Sequence, residues 1–375
     1  MKKQVFHAPK FWAAFAMVVC ALCTAQAQDP LASPIHWQFT SPSTHNDPDA
    51  NGQVTNGEDW IYNLIQAKDG SIIAAGYSES YHGSDRNRPT LFKYFNNKKQ
   101  ILWEYNGATA STCTNPLLDK GGIGNLQDVV EAEGAYYAVG WTRETEPLLC
   151  RDAIVVVKIE ATTGENQTIG TPVEKRFKAA NAAGFKQTSR AYSIRPVFTS
   201  GALSGFIIAG HTGNQAFLMK LTKDLDLDPN FGPIVNGAPT GCVFFELGTF
   251  ASNAIAVSDG YIFIGDIVQA SDRDVYVTKT NLNGVIQSGW PRTFNETVIA
   301  PFGYVPNTAN PSCSAVANPT NEHGVNVEEL ADGYILSTQF RKIQEFGGSH
   351  CGVNDGYLQA DATLIKIQKS TGNAR

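Results

Sequence analysis

The hydrophobic and polar positions of this chain repeat a two-part pattern. An apolar segment follows an acidic or glycine-containing turn, and after a polar loop a second apolar segment ends in lysine. The clearest copy is 258–265 followed by 274–279. The other copies are 69–76 with 91–93, 133–140 with 154–158, 205–210 with 217–220, and 332–337 with 364–366. Repeats on this scale predict a solenoid or a propeller, because such units cannot bury their apolar faces alone.

Each copy of the pattern extends into short strands. In the first copy, residues 59–76 predict two strands hinged at Asp69-Gly70, where glycine can adopt the positive φ of a hairpin turn. Residues 91–95 and 101–105 predict a third and a fourth strand. Four short antiparallel strands make one propeller blade. The chain is therefore expected to be an all-β propeller, with blades near 59–105, 126–177, 191–247, 253–294 and 325–375.

The last unit is expected to lack its fourth strand. Trp103 lies ten residues after Lys93, and the same spacing from Lys366 falls beyond the last residue. Residues 35–40 alternate apolar and polar side chains around Trp37, as a half-buried strand does. Propellers often close when one terminus supplies the strand that the other lacks, which removes an exposed sheet edge. We expect a five-bladed ring closed by residues 35–40; the alternative is a truncated piece of a six- to eight-bladed propeller.

The N-terminus has the pattern of a secretory signal peptide. Three lysines precede an apolar run at 11–22, and Ala25-Gln26-Ala27 has the small-x-small form of a signal-peptidase site. Residues 1–27 are therefore expected to be removed, which leaves 28–375 as the propeller. No later segment approaches the length of a membrane span. The expected location is the periplasm, the cell surface or the medium, without membrane insertion.

The charge balance argues against two classes of partner. The chain has 35 acidic and 29 basic residues, and three of the lysines lie in the expected leader. The mature chain is therefore distinctly acidic. Nucleic acid and anionic membrane surfaces are poor partners for such a chain.

The repeat units resemble the exported propeller repeats of Bacteroidota surface and secreted proteins. Those blades read approximately D-G-G-Y-I-I-A-G, a polar loop, L-I-K-L-D, G-N and W. Matching residues here are D-G-Y-I at 259–262, L-I-K-I at 364–367 and G-N at 372–373. The third unit, with 218–221 and 226–232, is similar to the related delta-60 propeller repeat. The resemblance implies an exported binding or scaffolding module for a protein or glycan at the cell surface.

A calcium loop is predicted outside the repeats. Carboxylate and amide oxygens alternate along 47–58, and Gly52 occupies the sharp sixth position of a twelve-residue calcium loop. The flanking segments are not helical, so an EF-hand is excluded and a calcium loop between strands remains. The candidate ligands are Asp47, Asp49, Asn51, the Gln53 carbonyl and Glu58. The alternative is a solvated Asn/Asp/Gly turn.

Recurring polar residues suggest what lines the propeller's channel. The first strand of each blade should be innermost, which would direct Asn63, Gln127, Asn253 and Asn326 toward the channel. Such a ring could hold waters or a small ligand. The lysines that end the third strands are interpreted as structural, with stems that cover apolar surface and heads that reach water. They are Lys93, Lys158, Lys220, Lys279 and Lys366.

Enzyme signatures are missing from the sequence. It has no G-x-S-x-G elbow, H-E-x-x-H motif, P-loop or G-x-G-x-x-G fingerprint. Carboxylate pairs for glycoside hydrolysis would come from separate blades and leave no local signature. Two hypotheses follow: a non-catalytic binding module, or a carbohydrate-active propeller enzyme, either a glycoside hydrolase or a lyase. An enzyme should show two carboxylates about 5–10 Å apart beside aromatic rings at the channel mouth.

The cysteines predict two disulfides. Five cysteines follow the leader, and they allow fifteen ways to form two bridges. Cys113 and Cys150 lie in loops of the second unit that correspond to those of Cys313 and Cys351 in the fifth. This equivalence favours the bridges Cys113–Cys150 and Cys313–Cys351. Cys242 is left without a predicted partner, either buried beside 243–245 or free to bond with another chain. The loops that the two bridges stiffen form the expected binding face.

Non-reducing peptide mapping of the exported protein tests this pairing. We expect linked peptides for both bridges, each contributing about 3–4 kcal/mol to stability through loop closure. A disulfide that involves Cys242 within the monomer, or free thiols at Cys113 and Cys351, would show that the pairing is wrong.

Overall fold

A computed structural model gives the arrangement of the repeats. It describes residues 59–78, 88–95, 100–106, 124–146, 149–161, 171–178, 188–235, 238–269, 272–294, 321–344, 357–369 and 372–374. The chain divides into two compact units, Met1–His45 and Asn46–Arg375, and all described residues belong to the second. The described residues include no helix that is long and apolar enough to cross a bilayer.

The described secondary structure consists of strands in five successive units. The first unit contains β1 (Asp59–Gln66), β2 (Ile72–Ser78), β3 (Arg88–Phe95) and β4 (Gln100–Asn106). The second contains β5 (Gly124–Ala132), β6 (Ala135–Glu146), β7 (Leu149–Glu160) and β8 (Val173–Phe177). The third contains β9 (Ser189–Thr199), β10 (Ala202–Thr212), β11 (Gln215–Thr222), the short pair β12 (Ile234–Val235) and β13 (Ala238–Pro239), and β14 (Cys242–Phe245). The fourth contains β15 (Phe250–Val257), β16 (Gly260–Gln269), β17 (Asp272–Thr280) and β18 (Arg292–Phe294), and the fifth contains β19 (Asn321–Leu330), β20 (Gly333–Gln344) and β21 (Tyr357–Gln368).

Each of the first four units is a four-stranded antiparallel sheet. The strand orders are β1-β2-β3-β4, β5-β6-β7-β8, β9-β10-β11-β14 and β15-β16-β17-β18. In the fifth unit β19, β20 and β21 form an antiparallel meander, which a single parallel bridge between Arg273 and Asn321 joins to the fourth. The predicted all-β propeller fold of four-stranded antiparallel blades is confirmed.

Successive blades share apolar cores. One core lies between each neighbouring pair from the first blade to the fifth, for example around Leu91 and Val129 between the first two. The first strands also pack on one another in chain order, β1 on β5, β5 on β9, β9 on β15 and β15 on β19. This is the arrangement expected when the first strand of each blade is innermost.

The predicted closure of the ring lies outside the described residues, because residues 35–40 are not among them. In the described part of the chain, the outer edge of β21 pairs only at the bridge between Ile367 and Ala374. Leu64 on β1 and Leu364 on β21 are both exposed. Closure by the N-terminal strand stays a prediction.

A backbone bulge recurs in the first strand of every blade. The register between the first two strands skips one first-strand residue at each bulge. The skipped residues are Tyr62, Gln127, Tyr192, Ser252 and Val325. In blades two to four, a glycine of the second strand faces the bulge, and a Cβ added there would overlap a first-strand carbonyl oxygen. The repeated glycine is therefore required by close backbone approach.

The third-strand lysines tie blades together, although not in the expected way. Lys93 Nζ lies 2.6 Å from Asp69 of the hinge turn, and Lys279 Nζ lies 2.8 Å from Asp259 of the equivalent turn. Their side chains are only 0% and 7% exposed, so the prediction that the heads reach water is wrong for these two. The hinge aspartates attract the ammonium groups inward, which compensates for their lost hydration.

These ammonium groups also contact an aromatic ring of the next blade. Lys93 Nζ lies 5.6 Å from the Tyr136 ring centroid, and Lys279 Nζ lies 5.9 Å from that of Tyr334. Cation–π attraction at this distance favours the blade contact. Lys158 lacks such a tyrosine, because the equivalent residue of the third blade is Phe206, and it pairs with Glu160 of its own blade at 2.7 Å.

Truncation of Lys93 tests the role of this contact. Lys93→Ala removes a buried charge partner and leaves a cavity, so we expect it to lower the free energy of unfolding by about 2–4 kcal/mol. The matched variant Lys158→Ala breaks a more exposed pair and should cost about 0–1 kcal/mol. Urea unfolding followed by tryptophan fluorescence measures both. Equal losses would contradict the structural role of the buried lysine.

Candidate functional site

The ends of the second strands and the beginnings of the first strands lie side by side in every blade. This follows from antiparallel pairing: Trp141 lies opposite Asn125 and His211 lies opposite Arg190. Asp266 lies opposite Phe250 in the same way. Each of these second-strand residues comes directly after the repeat glycine. One end of the blades therefore carries polar and aromatic residues that the apolar repeat pattern does not explain.

At this end, the second to fourth blades bring together one group of side chains. We call this group the mouth cluster, and it consists of Trp141, Asp152, Arg190, Tyr192, His211 and Phe250. Its members come from the beginnings of β7, β9 and β15, the middle of β6 and the end of β10.

A buried carboxylate organises the charged half of the mouth cluster. Asp152 is 3% exposed, and its Oδ2 accepts a hydrogen bond from Arg190 Nε at 2.7 Å and lies 2.6 Å from Arg190 Nη2 in an ion pair. Arg143 Nε donates to Oδ1 at 3.3 Å. The Arg190 guanidinium also lies 4.2 Å from the Trp141 ring centroid. Asp152 and Trp141 together fix the orientation of a guanidinium that is one-third exposed.

Three aromatic rings form the other half. The rings of Tyr192 and Phe250 lie 4.3 Å apart, and His211 is 5.5 Å from Tyr192 and 5.6 Å from Phe250. All three side chains are partly exposed. Tyr192 is a bulge residue, so the extra residue of the first strand is what brings this ring into the group.

The surroundings of His211 keep its imidazole neutral. Burial, together with the neighbouring Arg190, lowers the pKa of His211 to about 4, and Asp152 opposes this effect. The buried Nδ1 atom of His211 has no hydrogen-bond partner among the described residues. Burial also raises the pKa of Tyr192 to about 12, and the charge of Arg190 and its hydrogen bond to the phenol oppose this effect. Near neutral pH, His211 and Tyr192 are therefore both uncharged.

A second set of polar residues links the first strands. We call it the inner ladder; its members directly follow the bulges and are Asn63, Asp128, Ser193, Asn253 and Asn326. The amide of Asn63 donates to Asp128 of the next blade, and Asn253 donates likewise to Asn326.

Asp128 is the most strongly held member of the ladder. Its carboxylate accepts the Ile194 backbone N–H at 2.8 Å and forms an ion pair with Arg195, both on the third blade. Burial raises the pKa of Asp128, and the contacts with Arg195, Ile194 and Asn63 limit that rise. This arrangement joins the first three blades through one buried carboxylate.

Three of the four predicted channel residues occupy this ladder. Asn63, Asn253 and Asn326 are equivalent, but Gln127 is the bulge residue, and the ladder position of the second blade belongs to Asp128. Asp128 and Ser193 were not predicted because the number of residues between the ladder position and the hinge turn differs among the repeats. Counting back from the hinge turn therefore gives the wrong residue in the second and third blades. A usable signal was the charge of Asp128 between the apolar residues Leu126 and Val129, next to the uncharged Gln127.

The remaining predicted site residues give no structural result. Asp47, Asp49, Asn51, Gln53 and Glu58 lie outside the described residues, as do Cys113, Cys313 and Cys351. The backbone of Cys150 pairs with Thr145 at the beginning of β7. Calcium binding and both disulfides stay predictions. The described residues contain no cluster of His, Cys, Asp or Glu suited to a metal ion.

Cys242 lies at the beginning of β14 as a buried free thiol. It is 3% exposed and belongs to the apolar core between the second and third blades. Burial raises the pKa of this thiol far above its ordinary value. Its position makes it a packing residue of the third blade.

Comparisons with known proteins found no relative in sequence. No protein-family profile matches the chain. No curated protein matches it either. The resemblance to Bacteroidota propeller repeats therefore stays a prediction.

Similarity in structure is distant. The chain is similar to a Bombyx mori GH32 β-fructofuranosidase bound to sucrose, with a TM-score of 0.37, 8% identity, and coverage of 84% of this chain and 62% of that one. For B. megaterium levansucrase the TM-score is 0.40, at 10% identity, covering 89% and 88%. For a putative glycoside hydrolase from Parabacteroides distasonis it is 0.36, at 11% identity, covering 81% and 87%. Values this low transfer neither residue roles nor activity to this chain.

The low pKa of His211 predicts a pH-dependent stability. Because the folded pKa of about 4 lies below the ordinary 6.5, the unfolded chain binds a proton more readily. Stability contributed by neutral His211 is therefore complete above pH 6.5 and is lost as pH falls toward 4. His211→Phe keeps a ring against Tyr192 and Phe250 but cannot be protonated.

Thermal unfolding at a series of pH values measures this effect. We expect the melting temperature of the wild-type protein to fall more steeply between pH 6.5 and pH 4 than that of His211→Phe. Other titrating groups are common to both proteins, so they cancel in the comparison. Parallel pH profiles would show that His211 is not buried in its neutral form.

Proposed function

We propose that this chain is an exported, non-catalytic propeller that binds a glycan at the mouth cluster. One observation carries the proposal: three partly exposed rings, those of Tyr192, His211 and Phe250, lie beside an oriented guanidinium, that of Arg190. Ligand sites typically combine apolar and aromatic walls with a few placed polar groups.

The chemistry of sugars suits this combination. A pyranose or furanose ring presents C–H groups on its faces and hydroxyl groups at its edge. The faces pack on aromatic rings, whose surfaces carry partial negative charge, and the hydroxyls need hydrogen-bond donors and acceptors. The rings of Tyr192 and Phe250 offer aromatic surfaces for the sugar faces. Arg190 and the neutral imidazole of His211 offer hydrogen-bonding groups for the hydroxyls.

The carboxylates at this end of the blades favour binding over catalysis. Asp152 already accepts hydrogen bonds from two arginines. Asp266 accepts the Gly324 N–H at 3.1 Å and lies 3.6 Å from Arg273. A carboxylate engaged in this way is positioned to hold its partners rather than to transfer a proton to a ligand.

A carbohydrate-active enzyme, either a glycoside hydrolase or a lyase, is the second candidate. The observation in its favour is that buried aspartates from separate blades, Asp152 and Asp266, lie at the same end of their sheets as the aromatic rings. Glycoside hydrolysis uses a pair of carboxyl groups contributed in this manner.

Binding measurements on a panel of oligosaccharides test the proposal. Titration calorimetry should detect binding of at least one oligosaccharide, and Tyr192→Ala should weaken it about ten-fold or more, because a stacked aromatic ring is removed. Phe198→Ala is the matched control, since Phe198 lies at the opposite end of the same strand, β9, and is 56% exposed. The affinity of Phe198→Ala for the oligosaccharide should equal that of the wild-type protein.

Two results would contradict the proposal. Failure of the wild-type protein to bind any oligosaccharide would exclude glycan binding, and equal effects of both variants would exclude the mouth cluster. Release of new reducing ends or unsaturated products in the same mixtures would favour the enzyme hypothesis over the non-catalytic one.

A further inference from the structure

We propose that the ligand of the mouth cluster is an acidic saccharide, whose carboxylate or sulfate group binds the exposed edge of Arg190. This inference rests on the proposed glycan binding and names the chemical class of the ligand.

The first argument is the charge of Arg190. Arginine stays protonated in proteins, and the Arg190 side chain is 34% exposed beside the rings. His211 adds no charge near neutral pH. This accessible cation lies in a chain whose acidic residues outnumber its basic ones by 35 to 29.

The second argument is the number of donors that remain on Arg190. A guanidinium has five N–H donors; Asp152 contacts Nε and Nη2, and one further hydrogen bond joins the guanidinium to Tyr192. The side chain is 34% exposed, so the guanidinium is accessible to a ligand. Bidentate hydrogen bonding to a carboxylate or sulfate is the geometry that a guanidinium favours.

The third argument is preorganisation. Arg190 is fixed from one side by the buried Asp152 and from another by the Trp141 ring at 4.2 Å. A long side chain normally loses rotamer freedom when it binds a ligand, but here that freedom is already restricted. The same contacts place the guanidinium beside the rings of Tyr192 and His211, where a sugar ring would lie.

The electrostatic influence on the neighbouring rings agrees with this geometry. Arg190 affects both His211 and Tyr192 more strongly than Asp152 does. An anionic sugar substituent would be attracted to this position.

The test compares oligosaccharides of equal length by titration calorimetry. The probes are a neutral hexose oligomer, a uronic acid oligomer and a sulfated oligomer. We expect one of the acidic probes to bind about ten-fold or more tightly than the neutral one, as for a hydrogen-bonded charge pair. The affinity for it should fall as ionic strength rises, because salt screens exposed charges. Whichever acidic probe binds identifies the anionic group.

Variants of Arg190 provide the second part of the test. Arg190→Gln should weaken binding of the acidic probe about ten-fold or more and binding of the neutral probe distinctly less, because only the acidic probe loses a charge pair as well as a hydrogen bond. Arg190→Lys keeps the charge but not the planar fork, so its loss should be smaller. Arg273→Gln is the control, because Arg273 is paired with Asp266 on another blade and is 46% exposed. Circular dichroism establishes that each variant is folded.

Each outcome decides between the hypotheses. Equal affinity for acidic and neutral probes, or unchanged binding of the acidic probe by Arg190→Gln, would overturn the acidic-ligand inference and leave glycan binding intact. If no probe binds, the proposed function fails and the inference fails with it. If Arg190→Gln does not fold, the salt dependence and Arg190→Lys decide the question.

Discussion

The mouth cluster and the inner ladder both depend on the bulge in the first strand of each blade. One extra residue turns the strand so that the residue at the bulge and the one after it are not part of the regular alternation. In the third blade the bulge residue is Tyr192, which belongs to the mouth cluster. The residues after the bulges form the inner ladder. The glycine that faces each bulge in blades two to four has no side chain, because the neighbouring backbone occupies that volume.

Contacts between blades combine apolar packing with a few buried charges. Four apolar cores, one between each neighbouring pair of blades, connect the first blade to the fifth. The lysine–aspartate pairs are different in kind, because Lys93 and Lys279 each bring a hinge turn of one blade and a ring of the next to the same point. Between the second and third blades, Phe206 replaces this tyrosine, and Lys158 pairs with Glu160 of its own blade. The polar link between these two blades is the ion pair of Asp128 with Arg195.

The fold was predictable from the sequence because its signal is repeated. Apolar segments, hinge turns and glycines recur in every unit, so a weak pattern in one copy is supported by the others. The heads of Lys93 and Lys279 were placed wrongly, since their burial depends on an aspartate that lies close only after the sheet forms. Gln127 was chosen instead of Asp128 because the second repeat has one residue fewer between this position and its hinge turn, so counting back from Glu133 gives the wrong residue.

The mouth cluster was less predictable for a related reason. Its six residues come from five strands in three blades, and only their common position after the repeat glycine or at the beginning of a strand connects them. His211 and Trp141 do follow that glycine, as Asp266 does in the fourth blade. A comparison of the residue after this glycine in each repeat would have shown that Trp141, His211 and Asp266 belong to the same end of the blades. The pairing of Arg190 with Asp152 depends on two blades meeting, which no local spacing encodes.

The burial of Cys242 has a consequence for how the third blade can be observed. A thiol with a raised pKa in an apolar core is protonated and shielded, so it does not react while β14 remains in its sheet. It becomes reactive only when this outer strand detaches, which is a local opening rather than global unfolding. The rate at which Cys242 is labelled in the native protein therefore measures how often the outer strand of the third blade opens.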